Sequence, residues 1–212
     1  MANLPQAFPM QPESAIASYD WQDIADKTGV MIFHLFAATD SATTNYGVMR
    51  NAPGSDPEGR DSSAEDTTLD FDMTPFISPV TIGAGDIYFN FTHACASPAG
   101  TGSHIVYCSF CKVSGATTTV IGTVQSPTNT SSNNSVFETR CLKLAITQQN
   151  FKAGEYMRIR VRVVTGGSGT YINALTFDPL NRDYQMTGGL ATITAATNPT
   201  HFKVSVPFKI DL

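Results

Sequence analysis

The chain has 212 residues, of which 42% are hydrophobic and only 15% charged, with a mean hydropathy of −0.08 and a formal net charge of −5. That length and apolar content suit one domain with a sizeable core, and the net acidity argues against nucleic acid as a partner. The charge is uneven: residues 1–100 carry 13 acids against 3 bases, and residues 101–212 carry 5 acids against 10 bases, so acidic loops of one copy could face basic strands of another.

Residues 1–28 lack alternation, hold Pro5, Pro9 and Pro12, and contain the single tryptophan, Trp21. They read as an irregular N-terminal arm, with a short helix over 21–27 as its one regular feature and Trp21 as a candidate contact with a partner. A β-sandwich domain is expected over 29–212. Val30 to Ala38 (VMIFHLFAA) is the longest apolar run; it is far too short to cross a bilayer and too deep and acid-preceded for a signal segment, so it reads as a buried strand and no membrane partner is expected. On that basis the sequons at Asn90, Asn129 and Asn133 are expected to be unused.

Tyr46 to Arg50 is the next strand, followed by a polar, acidic surface loop over 51–66. Thr67 to Met73 alternates, with Leu69, Phe71 and Met73 set against Asp70 and Asp72. Asp86 to His93 and His104 to Val113 read as two strands joined by the turn SPAGTG, and Thr117 to Gln125 follows. After a second polar loop over 126–135 comes Val136 to Thr147, then the turn FKAG.

Tyr156 to Thr165 is the clearest strand: Met157, Ile159, Val161 and Val163 point one way, and Arg158, Arg160 and Arg162 the other. GGSG at 166–169 predicts a hairpin into Thr170 to Phe177. DPLNR at 178–182 is a turn, Leu190 to Ala195 a short strand, and Phe202 to Leu212 a last alternating strand with Val204, Val206, Phe208 and Ile210 on one face. Ten to twelve strands with no helical periodicity and no fixed repeat predict an all-β fold: a two-sheet antiparallel β-sandwich, jelly-roll-like, with its irregular arm.

The chemistry-bearing residues are few. His93, Cys95, His104, Cys108 and Cys111 superficially resemble zinc ligands, but Cys108 and Cys111 lie three apart in a strand and so on opposite faces. No metal or cofactor is expected, and the four cysteines, with Cys141, are read as free buried thiols. The acids Asp56, Glu58, Asp61, Glu65, Asp66, Asp70 and Asp72 lack a calcium-loop pattern. No nucleophile elbow or phosphate loop is present, so the expectation is that the chain is not an enzyme and has no catalytic residues.

Three like charges on one strand face repel unless opposed by acids. A neighbouring strand such as one carrying Glu138 would balance Arg158, Arg160 and Arg162; otherwise they form a contact face for an acidic partner.

FKAGEYMRIRVRVVTGGSGT, then TFDPLNR, then the terminal VPFKIDL together resemble small β-rich structural proteins of tailed-bacteriophage virions, over roughly the last 60 residues. The acid after KAG is Glu155 where the resemblance leads one to expect Asp. The resemblance implies a capsid decoration (cement) or head-fibre protein on a jelly-roll sandwich. It would be a homo-oligomer, often a trimer, partnered by its own copies and the major capsid protein and located on the capsid surface of the virion. A carbohydrate-binding module with tyrosine platforms (Tyr46, Tyr88, Tyr107, Tyr156, Tyr171, Tyr184), and another virion component such as a major capsid or tail protein, stay open as alternatives.

Overall fold

A computed structural model of the chain describes residues 17–18, 28–39, 44–49, 59–62, 66–132, 135–186 and 191–209. The expected arm, its helix and Trp21 lie outside the described residues except for the two-residue strand β1. The strands are β1 (Ala17–Ser18), β2 (Thr28–Thr39), β3 (Thr44–Met49), β4 (Gly59–Ser62), β5 (Asp66–Asp72), β6 (Val80–Ile82), β7 (Gly85–Ser114), β8 (Thr117–Gln125), β9 (Asn129–Ser132), β10 (Ser135–Ile146), β11 (Gln149–Phe151), β12 (Tyr156–Thr176), β13 (Tyr184–Gln185), β14 (Thr192–Ile193) and β15 (Lys203–Lys209). Among the described residues there is no helix, and the all-β, sandwich-like expectation holds.

Thirteen strands join one sheet, and β13 with β14 forms a small second one. The large sheet curls until it meets itself: β2 pairs with β3 on one side and β15 on the other, while β3–β5, β5–β12, β12–β7 and β7–β15 complete the circuit. The β3–β5 link, a single parallel pair at Gly47 and Asp72, makes the sheet mixed. Alternation sets the inner face, where Phe33, Phe71, Phe89, Phe91, Phe110, Phe151, Phe177 and Phe202 are fully buried. Phe71 and Phe177 meet edge to face at 5.3 Å, and Phe91 stacks on Phe202 at 4.8 Å. Ring pairs of this kind add about 1 kcal/mol each beyond the area they bury.

Curling requires the long strands to bend, and the bend corrects two sequence expectations. SPAGTG is no turn between strands and GGSG is no hairpin, because β7 and β12 run unbroken through both. Gly166 pairs with Ser103, Gly167 with Gly102, Ser168 with Thr101 and Gly169 with Gly100, with a register shift between Thr170 and Ile172. Residues 93 and 104 would stand roughly 36 Å apart on a straight strand. Instead the His93 and His104 rings lie 4.4 Å apart between centroids, so the strand has folded over. Glycine permits this. Gly100 and Gly167 have φ of 95° and 128°, and a Cβ on Gly167 would fall 2.0 Å from the Thr101 carbonyl oxygen.

The motifs that carry the resemblance are local closures. In FKAG-Glu, the Glu155 carboxylate accepts a hydrogen bond from the Lys152 amide at 2.7 Å and pairs with Lys112 at 2.6 Å, over Gly154 at φ 84°. In DPLNR, buried Asp178 accepts from the amides of Leu180 and Arg182 and from the Arg182 guanidinium, and Asn181 takes φ 55°. The two polar loops each contain a short strand the sequence reading does not anticipate: β4 pairs with β12, and β9 with β7.

Candidate functional site

Two polar groupings stand out. The first is the outward face of β12. Its register with β5 sets Arg158 opposite Asp72, Arg160 opposite Asp70 and Arg162 opposite Thr68. Arg158 donates from Nε and Nη2 to both Asp72 oxygens, at 2.5 and 2.7 Å, and from Nη1 to Asp70 at 2.8 Å. Arg160 donates to both Asp70 oxygens at 2.6 and 2.8 Å. The hydrogen bond from Arg160 holds the Asp70 carboxyl below its ordinary range, and the bond to Asp72 pushes the Arg158 guanidinium above its own.

The balancing strand is therefore β5, and not the one carrying Glu138, which instead pairs with Arg140 on its own strand β10. Arg162 stands over the Tyr107 ring at 5.8 Å. Forked pairs fix the long side chains before any partner arrives, so the face is a preorganised array of alternating sign.

Asp70 serves both arginines, so Asp70→Asn is expected to destabilise the fold by about 1–2 kcal/mol, discounted for partial exposure. Urea denaturation checks this; an unchanged midpoint would contradict the bridging role.

The second grouping is buried at the bend. His93 Nδ1 bonds His104 Nε2, and His104 Nδ1 bonds the Asn173 side-chain oxygen at 2.9 Å. Burial is the main force on both imidazoles, lowering His93 to about 2, with help from His104 and Arg140, and His104 to about 4. Both are neutral at pH 7. His104 Nδ1–H then donates to Asn173, leaving Nε2 to accept from His93 Nδ1–H. Among the described residues His93 Nε2 has no hydrogen-bond partner, and it lies 3.5 Å from the Glu138 carboxylate that Arg140 engages.

Of the zinc-like constellation, the structure brings together only the two histidines. Cys108 points into the main core, while Cys111 faces the Arg160–Asp70 side, as the spacing of three requires. Burial raises both thiols, Cys111 to about 11, so they stay protonated at neutral pH. All four cysteines are free, and Cys141 is exposed where a buried thiol was expected. Among the described residues no three His, Cys, Asp or Glu side chains form a metal-sized group. Of the tyrosines, Tyr46 packs on Phe71 and Phe177, and Tyr88 and Tyr107 lie on opposite sides of the bend in β7.

No family model matches the chain, and no curated protein does. Several solved structures show a partial likeness, each with a TM-score under 0.5. An aminopeptidase from the marine sediment archaeon Thaumarchaeota archaeon has a TM-score of 0.43 at 8% identity, over 82% of this chain and 36% of its own. An α-amino acid ester hydrolase has a TM-score of 0.40 at 12% identity, over 66% of this chain and 25% of its own. The T13 particle protein of infectious bursal disease virus has a TM-score of 0.30 at 12% identity, over 82% of this chain and 39% of its own. The chain thus spans between a quarter and two fifths of the length of these proteins.

The two hydrolases correct the expectation that the chain is not an enzyme. That exclusion came from missing sequence motifs, and catalytic groups assemble in space without a fixed spacing.

Proposed function

We propose that the chain is a virion structural protein of the capsid decoration or cement type, binding the outer capsid surface as a homo-oligomer. The observation that supports this reading is a sheet closed on itself that carries the forked Arg158–Asp72 and Arg160–Asp70 pairs on its outward face. The resemblance of the last 60 residues to phage virion proteins supports it. So does the apolar exposure of Val30, Ile32 and Tyr88 on one face of the sheet, since residues of this size on neighbouring strands favour a partner over water. In this role the fixed Arg158 and Arg160 forks present alternating charge to a neighbouring subunit, Arg162, the arginine farthest from the Asp70–Asp72 array, meets an acidic group there, and Trp21 anchors the arm. Repetition by symmetry then multiplies modest interfaces through avidity.

The test is co-sedimentation with capsids purified from the same source. The protein is expected to pellet with them to a saturating copy number, and Arg162→Glu to reduce occupancy at least tenfold below saturation. A protein that stays in the supernatant at every concentration would sink the proposal.

A further inference from the structure

On the outer face of the sheet, His34 of β2 lies opposite Lys203 of β15, and Lys203 lies opposite Asn90 of β7. Residues paired across antiparallel strands emerge on the same face, so these three form one polar row. The adjacent row runs from Ile32 through Ser205 to Tyr88. His201 enters at the end of β15, and a groove of about 300 Å³ opens between Ile32, Asn90, His201, Lys203 and Ser205.

Two polar groups lining this groove, the Thr139 hydroxyl and the Pro199 carbonyl, are engaged by Thr92, and the others are uncommitted. Lys203 makes no ion pair with any described residue, and among the described residues neither the Asn90 amide, the Ser205 hydroxyl nor His201 has a hydrogen-bond partner. The carboxylate bearing on His201 is Asp178, which is already saturated by Arg182 and two backbone amides. Lys203 and His201 thus converge in the groove, with His34 in the same row, and among the described residues the engaged Asp178 is the carboxylate that bears on them. His201 is held down to about 4 by burial, then by Lys203 and His34, and His34 is lowered by burial and Lys203. An incoming carboxylate would relieve that repulsion. Beside the charge sit an amide and a hydroxyl, of the kind that bind ligand hydroxyls. Half-exposed Ile32 (37%) lines the groove beside them and offers apolar surface to a ring.

We propose that this groove binds a sugar acid, a polyhydroxy ring bearing one carboxylate. Lys203 and His201 receive the carboxylate, Asn90 and Ser205 the hydroxyls, and Ile32 the apolar face of the ring. The site goes beyond the structural role and shares Ile32 with the apolar face assigned to it, yet a protein that never touches a capsid could still hold the ligand.

Calorimetric titration of the full chain with glucuronate, glucose and acetate tests the assignment. Glucuronate is expected to bind saturably in the millimolar range, with glucose and acetate each at least tenfold weaker. Lys203→Ala should weaken glucuronate at least tenfold, and Asn90→Asp, which sets a carboxylate against the ligand, should abolish binding. Lys152→Ala, at an exposed position in the turn before β12, should bind as the parent does. Thermal melts confirm that each variant is folded, and two groove variants guard against the loss of one. Absent glucuronate binding, or binding indifferent to both groove variants, would overturn the proposal. Acetate binding as tightly as glucuronate would reduce the groove to a simple anion site and overturn it equally.

Discussion

Replacing Gly167 by alanine is expected to cost about 3 kcal/mol or more, lowering the melting temperature by roughly 6–12 °C for a domain of this size. Two effects combine. The backbone at Gly167 has φ 128°, a region that L side chains rarely occupy, and a Cβ there would sit 2.0 Å from the Thr101 carbonyl oxygen and 2.9 Å from the Gly102 Cα. Both obstacles are backbone atoms in the paired bend, so no side chain can swing aside. Gly115→Ala is the matched control: φ is 56° and no atom lies within 4 Å of the added methyl, so about 1 kcal/mol is expected there. Thermal denaturation of the two variants would settle the matter. Equal melting temperatures would mean that the ribbon does not bend at this residue.

Acidification from pH 7 to pH 5 is expected to remove about 4 kcal/mol of stability through His93 and His104 alone. Their side chains are buried, with folded values of about 2 and about 4, whereas the unfolded chain takes up protons at about 6.5. A depressed folded value means that stability is complete above pH 6.5 and is lost as the pH falls, while the unfolded state binds protons that the folded state refuses. Over the 1.5 units from 6.5 to 5, each histidine gives up about 2 kcal/mol.

The groups facing the pair do not reverse this. Glu138 would favour a charged His93 but is engaged by Arg140, and Asn173 is neutral. His34 and His201 shift in the same direction and add to the loss. Asp70 and Asp178, held low mainly through their arginine partners, lose their contributions only below the ordinary carboxylate range. Urea denaturation at pH 7 and pH 5 reads the difference, and a His93→Gln, His104→Gln double variant should flatten the slope. A wild-type midpoint that does not move would mean the imidazoles are not buried as neutral groups. For a fold stabilised by about 5–15 kcal/mol, the expected loss is a large fraction.

How far these features can be read from the chain depends on the range of the interaction. Alternation is local, so β5, β12 and β15 are visible in Leu69–Phe71, Met157–Val161 and Val204–Phe208 without knowledge of their neighbours. The turns at Glu155 and Asp178 are equally local and keep their motif signatures. Gly166 to Gly169 misleads, because glycine freedom serves a hairpin turn and a bend in a continuing ladder alike. Only the partner, itself glycine-rich at Gly100 and Gly102, decides between them.

The Asp70–Arg160 fork depends on which strand lies beside β12, a choice made 90 residues away. The His93–His104 contact needs the fold-over that brings residues 11 apart face to face. Strand β4, with the sequence GRDS, has no alternation of its own and exists only through its ladder with Asn173 to Thr176. The groove draws on β2, β7 and β15 together, and so leaves no trace as spacing.

The proposed role is tested most directly by electron microscopy of the native particle at a resolution that separates strands. The expected result is density for this bent, closed sheet repeated by icosahedral symmetry on the outer capsid surface, with the Arg158–Arg160–Arg162 face turned toward a neighbouring subunit. Particles that carry the full complement of other virion proteins and no such density would contradict it.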